Sequence, residues 1–514
     1  MPMPDTGFML RTLEFLATFF VIFVGLCVLT IVVIYILDVT QTKQAIRRNY
    51  PVIGHFRYFF EEIGKFFRQY FFAMDREEMP FNRAERSWVY RAAKDLDNTT
   101  AFGSTRSLSP AGTVLFVNCP FPTLGTDAAP VHEVTIGPLC DRPYVTNSLF
   151  NISGMSFGAL SKPAVLALSN GAAKSGCWMN TGEGGLSSYH LEGGADLVFQ
   201  IGTAKYGLRD ALGNLSDDKL REVAAHEQVK MFEIKLSQGA KPGKGGILPG
   251  DKVTEEIARI RGIPAGEDSI SPNRHPDINS TGDLLDMIER IRSVTGKPVG
   301  FKAVIGAYGW LDELFAGIIA RGMQSAPDFI TVDSADGGTG AAPMSLMDYM
   351  GLPIQESLPL VIDKLDEHGL KERVKVIASG KLITPAEVAW ALCVGADFIV
   401  SARGFMFSLG CIQALNCNRN TCPTGITTHN PRLQKGLVPK VKAERVANYV
   451  KNMVYEAGVL AHACGVREPR ELRRFHARIV TENGQSVSLT DLYAAHAVRS
   501  RQNREDRQAA SINS

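Results

Sequence analysis

A short apolar strand, a loop rich in small polar residues and a helix follow one another repeatedly from Leu149 onward. Strands that alternate with helices form a parallel sheet, because each helix carries the chain back across the sheet. The candidate strands are Phe150–Met155, Cys177–Thr181, Leu197–Ile201, Met231–Leu236, Val299–Val304, Phe329–Val332, Val374–Ala378 and Phe398–Ser401. Eight such units predict an α/β fold of the closed (β/α)8, or TIM, barrel type.

Helical patterns between the strands support this prediction. They cover Lys162–Lys174, Asp217–Glu227, Thr281–Ser293, Leu311–Arg321, Leu358–His368 and Pro385–Val394. An open doubly wound sheet is the alternative, but no Gly-x-Gly-x-x-Gly motif follows an early strand. The barrel is therefore the favoured architecture.

Length and composition limit the classes of function. A chain of 514 residues with 45% hydrophobic and 21% charged residues buries a full core and holds one large domain with additions. A formal net charge of +2 provides no basic face for nucleic acid. Nine cysteines in so long a chain do not suggest a disulfide framework, which favours a reducing compartment.

An uncharged apolar run, Phe15–Leu37, is long enough to cross a bilayer. A cleaved signal peptide is the alternative, but its apolar region is shorter and leads to a small-residue cleavage site. Lys43, Arg47 and Arg48 follow the run, whereas only Arg11 precedes it. The positive-inside rule then predicts a single-pass membrane protein with its catalytic domain in the cytoplasm.

Between this run and the barrel, residues Phe56–Met74 combine aromatic and basic side chains. They predict an amphipathic helix, either on the membrane surface or packed on the catalytic domain. Residues Glu77–Pro143 are rich in turn formers and predict a segment that caps the barrel. The predicted divisions are a tail at 1–14, a transmembrane helix at 15–37, a juxtamembrane and lead-in segment at 38–143, the barrel at 144–435 and a helical extension at 436–514.

The loops that follow the strands carry the chemistry, because the active site of such a barrel lies at the carboxyl ends of its strands. The loop after the fourth strand is rich in glycine and contains Lys235, Gln238, Lys241 and Lys244. Glycines allow a ligand to approach the backbone, and lysines bind carboxylate or phosphate groups. Glycines and a basic residue also follow strands seven and eight, which predicts a phosphate site there.

Three cysteines, Cys411, Cys417 and Cys422, lie in one short loop, and a proline follows the last. Such thiolates bind an iron–sulfur cluster. A structural zinc ion is an alternative that needs a fourth ligand such as His429, and three buried thiols without a metal are another.

Several of these segments together resemble the FMN-binding synthase domain of glutamate synthase, over about Phe150 to Thr428. The motifs are Gly154-Met-Ser-Phe-Gly, Asn180-Thr-Gly-Glu-Gly-Gly, Glu233-Ile-Lys-x-x-Gln-Gly-Ala-Lys-Pro-Gly-x-Gly-Gly, Ile270-Ser-Pro, Asp336-Gly-Gly-Thr-Gly-Ala and Cys411-x5-Cys-x3-Thr-Cys-Pro-x-Gly. The resemblance implies an oxidoreductase with FMN in the barrel mouth and a [3Fe–4S] cluster beside it. It also implies that 2-oxoglutarate is converted through 2-iminoglutarate to L-glutamate.

The resemblance also implies roles for single residues. Catalysis is expected from Lys235, Lys241 and Glu183, with Glu183 where ammonia arrives, and substrate binding from Lys235, Gln238, Lys241 and Arg261. The cluster ligands implied are Cys411, Cys417 and Cys422. The implied flavin contacts are Met155, Ser156, Asn180, Thr181, Gln200, Lys302, Gly337, Gly338, Thr339, Gly340, Gly380, Lys381, Ala402, Arg403 and Gly404.

The sequence also departs from this family in ways that bear on substrate and partners. The family's glutaminase domain and carboxyl-terminal β-helix have no counterpart here, so ammonia is expected from solution or from a separate glutaminase subunit, or another amine replaces it. Ile247 occupies a position where the family has a glutamine that binds the oxoacid. Alternatives are an N-substituted glutamate synthase, a dehydrogenase that passes electrons to a protein or quinone at the membrane, and a catalytically silent redox sensor.

Overall fold

The computed structural model describes residues 6–494. The chain divides after Ala84 into two compact units. In the first unit, one α-helix runs over Thr6–Thr40. Its part Gly7–Thr40 is long and apolar enough to cross a membrane, and none of its most apolar window is buried within the protein. Length and composition do not separate a membrane span from a signal sequence, since both meet this test.

A second long helix of this unit, Gly54–Phe67, continues into a π-helical turn, Arg68–Phe72. A short helix, Ala45–Asn49, precedes it. The buried Asp38 carboxylate accepts hydrogen bonds from the Val52 backbone N–H and from His55 Nε2, both at 2.9 Å. These bonds turn the chain sharply after the first helix. The aromatic side chains of the second helix remain largely exposed, namely Phe56, Phe59, Phe60, Phe66 and Phe67.

The second unit contains a closed barrel of eight parallel strands, as the sequence predicts. The strands are Phe150–Ile152, Met179–Asn180, Leu197–Ile201, Val229–Lys235, Val299–Val304, Phe329–Asp333, Lys375–Ser379 and Phe398–Ser401. The last strand pairs with the first, with Ile399 opposite Phe150, which closes the sheet. The interior is therefore a packed core with no sheet edge.

Helices connect successive strands. The six predicted ones are present as Lys162–Ser175, Asp217–Ala224, Thr281–Thr295, Gly309–Arg321, Ile354–Glu367 and Pro385–Val394. Shorter helices lie at Ser188–Glu192, Glu255–Arg261, Met344–Met347 and Arg403–Leu409. The Ser161 hydroxyl caps the first long helix by accepting from the Ala164 N–H at 3.3 Å, and Gly176 ends it at a φ of 70°.

A hairpin closes the amino-terminal end of the barrel. It consists of Val134–Ile136 and Tyr144–Thr146, which pair antiparallel. Its buried Ile136 and Tyr144 pack into a cluster with residues from the starts of several strands, including Trp178. Because this end is filled, ligands reach the barrel from the carboxyl end.

The carboxyl-terminal extension is part of the same packed unit. Its main helix, Pro439–Ala463, lies against the first barrel helix, where a Cβ at Gly171 would come within 2.5 Å of Val446. The extension is not only helical, which the sequence analysis did not predict. Strands Ala477–Val480 and Ser486–Ser488 form a small antiparallel sheet with Val114–Phe116.

Candidate active site

The strand-end loops surround a cavity at the carboxyl end of the barrel. Its empty volume is about 980 Å³, including the part open to solvent. A second cavity of about 500 Å³ adjoins it and shares Gly154, Gln200, Lys235 and Arg403 among its lining residues.

A chain of polar contacts crosses the mouth of the larger cavity. Glu183, in the loop after strand two, pairs with Lys235, at the end of strand four, with Oε1 and Nζ 2.9 Å apart. Lys235 Nζ also donates to Gln238 Oε1, and the Gln238 amide donates to Thr339 Oγ1 at 3.2 Å. The contacts fix the lysine between two loops, which orients its ammonium toward the cavity it lines.

The loops approach Glu183 closely because two glycines face it. A Cβ at Gly246 would lie 2.7 Å from Glu183 Oε1, and one at Gly202 would lie 2.6 Å from its Cβ. Any larger residue at either position would displace the carboxylate. Gly202 and Gly246 are thus required for close packing against the side chain of Glu183, a candidate catalytic residue.

Arg261 and Lys241 add positive charge to the same wall. The Arg261 guanidinium is buried and donates to Ser269 Oγ at 3.2 Å and to the Phe157 carbonyl at 3.3 Å. Its Nε has no hydrogen-bond partner in residues 6–494. Burial, and then the neighbouring Lys235 charge, lowers the pKa of Lys241 to about 8.

This wall carries more positive than negative charge. Burial alone would raise the pKa of Glu183, but the charges of Lys235, Lys241 and Arg261 outweigh it and lower that pKa. Glu183 is therefore ionised, and three cations face one carboxylate. Within the described part of the chain neither Lys241 nor Arg261 forms an ion pair. Uncompensated buried charge is costly, so the geometry favours an anionic ligand that supplies the missing negative charge.

Lys302 lies deeper, in the second cavity. Its Nζ is 3.1 Å from Asp333 Oδ2, and both side chains are buried. Asp333 also accepts from Ser379 Oγ at 2.8 Å and from the Gly239 N–H at 2.9 Å. Burial alone would lower the pKa of Lys302, but Asp333 and then Glu233 outweigh it and raise that pKa. Lys302 is thus a fixed positive charge on the cavity floor.

Glu233, in the middle of strand four, holds the floor together. Its carboxylate accepts from Asn180 Nδ2 at 2.8 Å, from Gln200 Nε2 at 2.7 Å and from Thr331 Oγ1 at 2.6 Å. These bonds fix the Gln200 amide, which lines both cavities. The sequence analysis assigned no role to Glu233 or Asp333. A carboxylate inside an apolar strand is the signal that identifies Glu233.

The loops after strands six, seven and eight form the basic end of the second cavity. Lys381 Nζ pairs with Asp336 Oδ2 at 2.7 Å, and the Arg403 guanidinium donates to the Thr339 carbonyl. Lys381 has a φ of 56° and Gly380 one of 109°. Gly340 has open space where a Cβ would be. In the second cavity Lys381 and Arg403 lie beside the backbone of Gly338 and Gly380, and cations next to glycine backbone are what a phosphate site needs.

The structure brings most of the predicted site residues to these two cavities. Among the described residues the larger one is lined by Met155, Ser156, Glu183, Gln200, Lys235, Gln238, Lys241, Arg261, Gly338, Thr339, Gly340, Ala402 and Arg403. Lys302, Gly380 and Lys381 line the second cavity. Asn180 lies beneath them in a small enclosed space with Glu233.

Four predicted flavin contacts line neither cavity, namely Asn180, Thr181, Gly337 and Gly404. The Thr181 side chain is buried and accepts from the Gln200 N–H at 3.1 Å. Gly404 packs against Tyr449, whose hydroxyl donates to the Ile383 carbonyl at 2.8 Å. The glycine at 404 is thus required by helix packing, and the roles of these residues toward a cofactor stay predictions.

The cysteine loop borders the larger cavity through Cys417. Tyr90 Oη donates to the Cys411 carbonyl at 2.5 Å, and Cys422 Sγ lies 3.4 Å from Thr424 Oγ1. Burial raises the pKa of the Cys411 thiol to about 11. Within residues 6–494, no three His, Cys, Asp or Glu side chains converge as ligands of one metal ion.

Lys252 is a site residue that the sequence analysis missed. It is 2% exposed and also lines the larger cavity. Its Nζ donates to the carbonyls of Ala159 at 3.0 Å, Cys417 at 3.2 Å and Thr427 at 3.0 Å. Burial lowers the pKa of Lys252 to about 8. One lysine in a polar loop resembles a solvated one, so no local signal in the sequence identifies it.

Comparison with solved structures yields only distant likenesses. A flavocytochrome b2 mutant with pyruvate bound matches 79% of this chain and 85% of its own, with a TM-score of 0.45 and 12% sequence identity. A mandelate oxidase mutant matches with a TM-score of 0.40 and 15% identity, over 77% of this chain and 92% of its own.

Comparison of sequences is more specific. The model of a conserved region in glutamate synthase matches residues 129–467. Glutamate synthase large subunit-like protein YerD of Bacillus subtilis (strain 168) is 40% identical over 498 residues, which covers 89% of this chain and 94% of that protein. The archaeal-type NADPH glutamate synthase of Thermotoga sp. (strain RQ2) is 36% identical over 323 residues. That match covers 62% of this chain and 60% of the Thermotoga protein.

The archaeal NADPH glutamate synthase of Methanocaldococcus jannaschii (strain ATCC 43067 / DSM 2661 / JAL-1 / JCM 10045 / NBRC 100440) is also 36% identical, over 67% of this chain and 64% of that protein. The chain thus spans less than two thirds of the length of these archaeal-type relatives. The family model covers well over half of the chain and coincides with the barrel and its cysteine loop. The chain is an oxidoreductase that belongs to the glutamate synthase family.

Proposed function

We propose that this enzyme binds FMN in the two adjoining cavities and reductively aminates 2-oxoglutarate to L-glutamate, with ammonia from solution or a partner. The observation that carries the proposal is the excess positive charge around Glu183. Lys235, Lys241 and Arg261 against one carboxylate leave two uncompensated positive charges, and 2-oxoglutarate carries two negative ones.

The residues present fit FMN. Arg403 and Lys381 line the second cavity together with Gly338 and Gly380, where a phosphate would be held. Lys302 and Gln200 form the floor on which a polar ring edge would rest. Bound FMN would supply a hydride to the substrate carbon, and the buried Lys302 charge would stabilise the anion of the reduced ring.

The chain's own side chains then bind the oxoacid and move its protons. Arg261 and Lys241 hold the carboxylates, since both are buried cations without an anionic partner in the described residues. Imine formation requires proton transfer to the departing carbonyl oxygen. Lys235 is a donor of that proton, and ionised Glu183 accepts an N–H of the incoming ammonia. Their 2.9 Å contact allows the proton to be restored between them.

The test of this function is turnover of the purified protein. The bound flavin is first reduced under argon, and 2-oxoglutarate plus ammonium chloride should then reoxidise it. The protein should release one L-glutamate for each flavin that is reoxidised. Pyruvate, which has one carboxylate, serves as the matched control and should react far more slowly. A reduced flavin that both oxoacids leave unchanged would contradict the proposal.

We further propose that Cys411, Cys417 and Cys422 bind a [3Fe–4S] cluster. The support is the sequence pattern, three thiols within one short loop and a proline directly after the last, which is typical of iron–sulfur ligands. Gln413, Leu415 and Asn420 all have φ near 56°, so the loop is held in an unusual conformation. A separate donor, either an electron-transfer protein or a quinol, would supply the electrons.

Substitution of Cys417 by serine is expected to lower the iron content from about three atoms per chain to near zero while FMN is retained. Metal analysis and the flavin absorption spectrum of the same sample measure both. Cys177, a buried thiol elsewhere in the barrel, provides the control substitution. Full iron occupancy in Cys417→Ser would refute the ligand assignment.

A smaller effect is expected at Ile247, which lines the cavity and is 42% exposed. Replacing it with glutamine adds a hydrogen bond to the oxoacid. The binding of 2-oxoglutarate should become tighter by about 1 kcal/mol, which is roughly fivefold in Kd. Titration of the oxidised flavin spectrum gives the affinity. Its cross-strand neighbour Ile270, outside the cavity lining, is the control. Equal affinities of wild type and Ile247→Gln would show that the position does not contact the substrate.

We propose that helix Thr6–Thr40 anchors the enzyme in a membrane, with the exposed aromatic face of Gly54–Phe67 at the lipid surface and the barrel in the cytoplasm. Removing residues 1–40 should move the protein from the membrane pellet to the detergent-free supernatant only in part, because the aromatic helix remains. Removing residues 1–74 should complete the release with FMN retained. A full-length protein that fractionates as soluble would contradict the anchor.

A further inference from the structure

The contacts of Lys252 connect three separate segments at the cysteine loop. Its ammonium donates to carbonyls after the first barrel strand, at Cys417 and at Thr427. Three donors meet three acceptors, so every N–H of the ammonium is used. Thr427 and Cys417 line the same cavity as Glu183. Lys252 therefore joins the cysteine loop to the wall of the substrate cavity.

The charge of Lys252 is not balanced by the protein around it. The side chain is 2% exposed and forms no ion pair in the described part of the chain. The Cys417 carbonyl accepts from its Nζ at 3.2 Å, and Asp251 is its neighbour in the chain. Asp251 is itself exposed. A buried ammonium that donates to the Cys417 carbonyl therefore places an unbalanced positive charge at the cysteine loop.

A second lysine shows that the carbonyl contacts alone do not explain this position. Lys297, at the opposite end of the barrel, donates to the carbonyls of Ala224, His226 and Val229. It has the same kind of three-carbonyl cage but no cysteine beside it. Comparing the two lysines separates anchoring of the backbone from an electrostatic effect on the cysteine loop.

We propose that Lys252 is a positioning residue that provides the fixed counter-charge of the cysteine loop and sets the reduction potential of the cluster held there. This role rests on the proposed cluster. A positive charge beside the cluster stabilises its reduced, more negative state, so removing the charge makes reduction harder and shifts the midpoint to more negative potential. Contact with Cys417 also fixes the loop against the flavin cavity, which keeps the two redox groups adjacent.

The experiment compares full-length Lys252→Met, Lys252→Gln and Lys297→Met with wild type. Iron and FMN content are measured first, and the cluster is then titrated with redox mediators while its electron paramagnetic resonance signal is followed. Both Lys252 variants should keep FMN and show a more negative midpoint. Lys297→Met should keep the wild-type midpoint. The glutamine variant retains two donors for the carbonyls, so it reports on the charge if the methionine variant does not fold.

The outcomes distinguish this role from the function on which it rests. Wild-type protein without iron would refute the cluster itself and the role with it. Iron-bearing wild type together with a Lys252→Gln midpoint equal to that of wild type would refute the role of Lys252 alone. An equal shift of the midpoint potential in Lys297→Met would also refute the role of Lys252. The shift would then come from a general destabilisation of the barrel.

Discussion

Replacing Arg261 with alanine should lower kcat/KM for 2-oxoglutarate by a factor on the order of 10² to 10³. Truncating one partner of a buried, hydrogen-bonded charge pair costs about 2–5 kcal/mol. Arg261 forms such a pair with the carboxylate of the proposed substrate, since the residue is 5% exposed and its Nε has no partner in residues 6–494. Steady-state assays with 2-oxoglutarate and ammonium measure the effect.

Arg209 offers a matched control for this substitution. Its guanidinium, like that of Arg261, lies over the Tyr206 ring at 5.2 Å, but it donates to the Gly262 carbonyl outside the cavity. Arg209→Ala should therefore keep nearly full activity, and both variants should keep FMN. If Arg261→Ala retains wild-type kcat/KM, the arginine does not bind the substrate, and the excess charge at Glu183 needs another explanation.

Replacing Lys302 with methionine should destabilise the barrel by about 3–5 kcal/mol, because it leaves Asp333 buried without its cation. The same change should weaken the binding of FMN, because it removes the positive charge on the cavity floor. Urea denaturation, followed by tryptophan fluorescence, gives the free energy of unfolding. Flavin content after gel filtration gives the cofactor affinity.

The double variant Lys302→Met with Asp333→Asn separates the two effects. The asparagine removes the unpaired charge yet can still accept from Ser379 or the Gly239 N–H. The double variant should therefore recover most of the lost stability while FMN binding stays weak. If the double variant recovers both stability and FMN binding, Lys302 acts only by neutralising Asp333. Loss of neither in the single variant would contradict the buried pair.

The barrel could be predicted from the sequence because each strand is buried on both faces and therefore appears as a continuous apolar run. Even the two-residue strand Met179–Asn180 lies inside its predicted range, Cys177–Thr181. The position of the loop glycines and cations could also be predicted, because the carboxyl ends of all barrel strands lie at the same end of the barrel. For this reason the sequence predicts Lys235, Lys241 and Glu183 at the same end of the barrel, and the three residues line one cavity there.

What the sequence could not supply were pairings between distant segments. The apolar segment Val114–Val117 indicates a short strand in the sequence, but its partner Ala477–Val480 lies in the extension expected to be helical. Ala477–Val480 forms a strand because Val114–Phe116 lies beside it. Lys252 was missed for the same reason, since its partners at Ala159 and Thr427 are far away along the chain. Its burial is a property of the folded loops and leaves no trace in local composition.

The same long-range pairing has a consequence for biosynthesis. Tyr449 packs edge-on against Phe150 at 5.4 Å, and Phe116 pairs with Ala477, so the start and end of the domain hold each other in place. Such contacts of high sequence separation form late, because the intervening chain must first be made and closed. We expect that the barrel strands synthesised first remain incompletely packed until residues 439–480 have been synthesised. During that time their apolar surfaces are exposed, so we expect chaperones to bind this domain during translation.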